Sequence, residues 1–180
     1  MKSNNVLSAY LAHAGKFLPA IIFLCYGRFG PGAPDLRWNE AFLIGAVLGA
    51  VHGVWLLSRP ERHSIALGVD LYLLVGGLLA LASAQASRAW GEELGPAAVL
   101  VCVLVVGVLN TLCSPGGFID RKGIDRERTL SLSMTMIGVT VAALAVSVLM
   151  RHSPLWGGVL PLTALMFVRS RLQRQAARAS

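Results

Sequence analysis

Six apolar stretches take up most of this chain, more than a soluble core of its size could bury. They cover residues 17–29, 41–57, 64–86, 96–113, 129–150 and 155–168. A hydrocarbon layer about 30 Å thick takes about 20 apolar residues in a helix, and the third, fourth and fifth stretches supply them. The second is marginal, and the first and last are short. In lipid every backbone N–H and C=O has to be satisfied inside the segment that carries it, so each crossing is a helix. The expected fold is an all-α, polytopic membrane bundle of about six transmembrane helices. A hydrophobic content of 55% with 14% charged residues agrees. Beyond the N-terminal 16 residues, no polar segment exceeds about 15, too few to bury a core of its own. Residues 1–180 therefore read as one membrane unit, with any function among the helices or at their rims.

The net charge of +7 could suggest nucleic acid, but in a membrane chain the placement of the cations matters more. Lys2 and Lys16 precede the first span, Arg59 and Arg62 lie in the second connection, and Arg121, Lys122, Arg126 and Arg128 in the fourth. Arg169, Arg171, Arg174 and Arg178 fill the tail. Arg28, Arg37, Arg88 and Arg151 belong to the other connections. Six crossings put twelve basic residues on one side and four on the other. The positive-inside rule then makes both termini cytoplasmic. Pro19 fits the first turn of a helix starting near Lys16, where its missing N–H has no partner to lose. Trp38, Trp90 and Trp156 fall at the outer connections, where an interfacial aromatic belt would place them. His13 and Lys16 interrupt the N-terminal hydrophobic run and no small-x-small site follows Tyr26, so the first helix reads as uncleaved.

Packing is legible in the second span, where Gly45, Gly49 and Gly53 form a double GxxxG that lets a neighbouring backbone approach. Gly76, Ala80 and Ala84, and then Gly138 and Ala142, extend the small-residue theme. Whether the stripe meets another helix of this chain or a second protein is open. Cys25, Cys102 and Cys113 have no CxxC spacing and read as buried free thiols.

Polar side chains inside lipid are costly and are functional candidates by default. Asp70 is the one acid within a span, about 9 Å in from the cytoplasmic end of the third helix at 1.5 Å per residue. His52 lies at similar depth in the oppositely running second helix, and Asn110 is somewhat shallower in the fourth. With Ser131, Ser133 and Thr135 on the same side, His52, Asp70 and Asn110 are expected to form a polar pocket open to the cytoplasm. Its chemistry would be either proton exchange in transport or hydrogen bonding that fixes helix register.

Enzyme signatures are absent: no HExxH, Walker loop, GxSxG or paired-aspartate motif occurs, and no ligand set calls for a metal or cofactor. The GGFIDRKG loop, with Gly116, Phe118, Asp120, Arg121 and Gly123, resembles the GxLxDRxG loop of the major facilitator transporters, which implies a half-transporter as one reading. Its plain reading is a charged turn whose Arg121, Lys122, Arg126 and Arg128 meet anionic headgroups at about 1 kcal/mol each.

A broader resemblance covers most of the chain. The opening Lys16, Phe17, Leu18, Pro19, the Gly- and Ala-rich second helix, the short turn from Arg59 to Arg62, the close third helix from Ser64 and the basic tail are similar to the intracellular septation protein A family. That family's signature between the third and fourth helices is replaced here by Ala89, Trp90, Gly91 and Glu92. The resemblance implies a multi-pass protein of a bacterial inner membrane, linked to septation or envelope maintenance. The functional expectation is a non-enzymatic protein whose partners are the bilayer and other membrane proteins or a second copy. The alternative is a small proton-coupled transporter using Asp70 and His52. Nucleic acid is not an expected partner.

Overall fold

The computed structural model describes residues 15–59, 63–120, 125–153 and 155–177. Its helices are α1 (Leu18–Phe29), α2 (Pro34–Leu57), α3 (Ser64–Ala82), the short α4 (Ala84–Arg88), α5 (Gly95–Cys113), α6 (Arg126–Leu149) and α7 (Leu160–Ala177). Wide π-type turns over Ala89–Leu94 and Leu155–Val159 lead into α5 and α7. No strand occurs among the described residues, and the chain is an all-α membrane helix bundle. Leu36–Leu57, Ser64–Ala82, Ala84–Cys113 and Arg126–Leu149 are each long and apolar enough to cross a bilayer, whereas α1 is shorter.

Several boundaries depart from the apolar runs, each for a local reason. α2 starts at Pro34, well before residue 41, because a proline at the first helical position costs no hydrogen bond. The early turns are held by Tyr26 Oη donating to Glu40 at 2.8 Å and by Arg37 Nη1 donating to the carbonyls of Arg28 and Gly30 at 3.2 Å. The run expected over 64–86 is broken at Ser83, which adopts φ −164°, ψ 130°. Its Oγ accepts the Gln85 N–H at 3.2 Å and so caps α4. α6 begins at Arg126, ahead of residue 129, and α7 continues to Ala177, past residue 168. Much of the basic tail is therefore helix.

Successive helices pack in order, α1 on α2, α2 on α3, α3 on α5, α5 on α6 and α6 on α7. In lipid this association depends on close van der Waals fit rather than on water exclusion, and small residues provide it. A Cβ on Gly68 would lie 2.5 Å from the Val103 Cα, so α3 and α5 touch backbone to backbone. A Cβ on Gly49 would come within 3.2 Å of the Asp70 carbonyl oxygen, and one on Gly45 within 3.2 Å of Leu73 and 3.4 Å of Phe23. The Gly45, Gly49, Gly53 stripe is thus covered by α3 and α1 of the same chain. Gly138 instead faces open space and Ala142 is exposed, so the small-residue pattern of α6 makes no such seam.

One core gathers Ile65, Leu100, Val103, Phe118, Ile119 and Met136. A second is aromatic: Phe23 lies 4.7 Å from Phe42, Phe42 5.8 Å from Tyr72, and Trp90 stacks on Tyr72 at 5.7 Å while its Nε1 donates to the Tyr72 carbonyl at 3.2 Å. Trp90 is therefore packed in the bundle, whereas Trp156 is exposed as a belt residue would be. Val47, Val51 and Val54 on α2 and Leu78 and Leu81 on α3 are exposed, as lipid-facing side chains are.

The ring of Phe17 meets that of His63 edge-on at 5.8 Å, and Asp120 contacts both Ser64 and Arg169. The start of α1, the start of α3, the α5–α6 loop and the later turns of α7 consequently share one end of the bundle, the end with most of the basic connections. At the other end Ser87 Oγ donates to Asn39 Oδ1 at 2.8 Å, and Gly158 approaches Pro96.

Candidate functional site: an intramembrane His–Asp pair and a buried clamp

His52 and Asp70 meet as the opposed directions of α2 and α3 suggest. His52 Nδ1 lies 2.8 Å from Asp70 Oδ2, with side chains 12% and 4% exposed. The helices close at Gly49, where a Cβ would meet the Asp70 carbonyl oxygen at 3.2 Å, whereas a Cβ on Gly53 would make only an ordinary contact, 3.8 Å from the carboxylate. Trp55 stacks on His52 at 5.6 Å with planes 24° apart, and the Arg59 guanidinium lies 4.5 Å above the Trp55 ring. His52, Trp55 and Arg59 thus form a ladder up one face of α2 toward the basic end. His52 Nε2 is buried and has no hydrogen-bond partner among the described residues. The pair can hold and exchange one proton, and it can equally fix the register of α2 on α3.

Asn110 belongs elsewhere, which corrects the expected three-residue cluster. Its Nδ2 donates to Ser64 Oγ at 3.0 Å, at the first turn of α3. The Ser64 hydroxyl in turn lies 2.9 Å from Asp120 Oδ1 and 3.0 Å from the Phe118 carbonyl, while the Ser64 backbone N–H donates to Asp120 Oδ2 at 2.9 Å. Arg169 Nη2 donates to Asp120 Oδ2 at 3.0 Å and its Nη1 lies against His63 Nε2. Gln173 Nε2 donates to the Ile119 carbonyl at 2.9 Å. A carboxylate at the start of a helix satisfies an otherwise unpaired N–H, so Asp120 acts as a cap for α3 supplied from a distant loop. Its own backbone sits at φ +58°, a left-handed conformation that aspartate tolerates better than most residues. Burial pushes the Asp120 carboxyl up from its ordinary value, against the Ser64 donors and the Arg169 charge, which favour ionisation.

The first residues of GGFIDRKG are also built into the bundle, beyond the charged turn that the sequence suggested. Phe118 and Ile119 are fully buried, Phe118 presses its ring onto Gly107, and its N–H donates to Ser133 Oγ at 3.0 Å. Arg121 and Lys122 lie outside the described residues, whereas Arg126 and Arg128 are exposed where headgroups would be met. Ser133 is tied to the loop, while Thr135 bonds its own helix at the Ser131 carbonyl and both Ser131 and Thr135 are exposed. Among the described residues the expected polar cluster is therefore split into two networks. Nothing in the spacing of Ser64, Asp120 and Arg169 announced them.

Of the cysteines only Cys102 is buried; Cys25 and Cys113 are exposed, and all are free. The described residues contain no group of three or more histidine, cysteine, aspartate or glutamate side chains placed to hold a metal. A cavity of about 540 Å³ opens between α1, α3, the Ala89–Leu94 turn, α5 and α7. Phe23, Val69, Tyr72, Leu73 and Val99 line it, and neither Asp70 nor His52 does. No family model, no curated protein and no solved structure matches the chain.

Proposed function

We propose that this is a non-enzymatic protein of a bacterial inner membrane, with both termini in the cytoplasm, that serves septation or envelope maintenance through contacts in the plane of the bilayer. The observation that carries the reading is the pairing of its costly polar groups. His52 with Asp70, and Ser64 and Arg169 with Asp120, are paired within the chain, which suits a fixed helical body better than a moving path. The glycine stripe is covered internally. Partner contact would therefore use other faces, such as the exposed valines of α2. Proximity labelling and co-purification in mild detergent, beside growth of a deletion strain, test it. Neighbours from the division or envelope apparatus and a septation defect are expected. A strain indifferent to the deletion, with a solute flux that needs the protein, would overturn it. Reporter fusions should place both tips in the cytoplasm.

A second reading, proton-coupled movement of a small solute, is favoured by the 2.8 Å His52–Asp70 contact and the unpartnered His52 Nε2. Asp70→Asn is its test. Loss of a pH-driven flux supports it, and an intact flux or none at all removes it.

A further inference from the structure

We infer that the cleft between α1 and α7 is a site for one bilayer glycerophospholipid with an amine-bearing headgroup, its acyl chain in the apolar trough and its headgroup at Arg88 and Glu92. The argument needs only the membrane setting, not the envelope role. The trough's volume of about 540 Å³ falls within the range of about 300–1,000 Å³ common to small-molecule sites. Its α3 wall from Ile65 to Leu73 is about 12 Å long at 1.5 Å per residue, most of one leaflet of a layer about 30 Å thick. Among the described residues the first and last helices share no packed seam. The trough therefore opens sideways, toward hydrocarbon.

Polarity is confined to one end, where Ser87, Arg88 and Glu92 join the lining beside Trp38. The guanidinium has five donors and matches phosphate geometry, so a phosphodiester can bind it alongside any neighbouring acceptor. Glu92, four residues further on, brings the opposite charge to the same end of the trough, where a headgroup ammonium can meet it. The end of α4 that carries Arg88 and the wide turn that carries Glu92 are fixed by Ser87 on Asn39 and by the stacking of Trp90 on Tyr72. An apolar helix from a second copy would bring no charge to that end, and residues 1–14 of this chain hold Lys2 but no acid to meet Arg88.

The test uses the full-length protein in nanodiscs containing phosphatidylethanolamine and phosphatidylglycerol, with a trace of phosphatidylethanolamine bearing a diazirine on its acyl chain. Photolysis of the wild type should label Phe23, Val99 and Met166 above lipid-facing Val47 and Val51, and excess unlabelled phosphatidylethanolamine should compete. After mild-detergent extraction, native mass spectrometry should find one retained phospholipid per chain. Arg88→Gln should cut retention roughly tenfold, as loss of a charge-assisted hydrogen bond implies. Glu92→Gln should keep retention but abolish the preference for ethanolamine over glycerol headgroups. Uniform labelling, retention blind to headgroup, or cross-links from the trough to residues 1–14 or to a second copy would each overturn the assignment. Because the labelling arm uses unaltered protein, a misfolded variant cannot decide the outcome.

Discussion

Replacing Arg169 with methionine removes a cation from a site where Asp120 is 4% exposed at the side chain and Arg169 10%. The change keeps most of the aliphatic volume but strips Asp120 of its charge partner. Removing one member of a buried ion pair costs about 3–5 kcal/mol, because the other is left uncompensated. At about 2–4 °C per kcal/mol for a chain of this size, the apparent melting temperature in detergent should fall by roughly 10 °C. The pH dependence gives a sharper signature. Burial already raises the folded-state pKa of Asp120, and loss of Arg169 raises it further. An acid whose pKa is higher in the folded state than in the unfolded chain contributes stability that is fully present below the unfolded value. That contribution is lost as pH rises through the folded value. Arg169→Met should therefore recover part of its deficit on acidification from pH 8 toward pH 5 and lose it again on return. The double variant Arg169→Met/Asp120→Asn should restore much of the stability and flatten this response. Nanoscale fluorimetry of the intrinsic tryptophans across that pH range measures both. If the single variant melts within 1–2 °C of wild type at pH 8, the pair is solvated and the clamp as described is wrong.

Adding a methyl at Gly68 should be far worse than at Gly138: Gly68→Ala drives into the Val103 backbone and should cost about 1–3 kcal/mol, whereas Gly138→Ala meets nothing and should be neutral or better by thermal melt. Gly107→Val should unseat the Phe118 ring, and in an Ile119→Cys background the new thiol should pass from inert to maleimide-reactive. A membrane-permeant maleimide should label Cys25 and Cys113 of the folded protein and spare Cys102 until it is denatured; labelling of Cys102 at equal rate would contradict the α3–α5 packing.

The solvent of this fold was legible because uninterrupted apolar runs have few other uses, and the His52–Asp70 pair because both residues lie at similar depth on adjacent, opposed helices. The alternation of the helices also foretold which connections gather at one end. Asp120 with Arg169 was not legible. Forty-nine residues separate them, each stands among other charged residues in the sequence, and nothing in that sequence marks the left-handed turn at Asp120. Single glycines were equally opaque. Gly68 and Gly107 mark close approaches yet belong to no repeat, while Gly138 belongs to a pattern and touches nothing. The trough has no local signature at all, since its walls come from elements far apart in the chain.

Because Arg169 and Gln173 hold the middle loop shut, the parts they fasten leave the ribosome long before the fastener does. During biogenesis α3 and α5 must wait in the membrane with Ser64, Asn110 and Asp120 still hydrated at the interface. Chains stalled before residue 169 would insert yet stay unlatched, and membrane quality-control proteases would find them by that open loop.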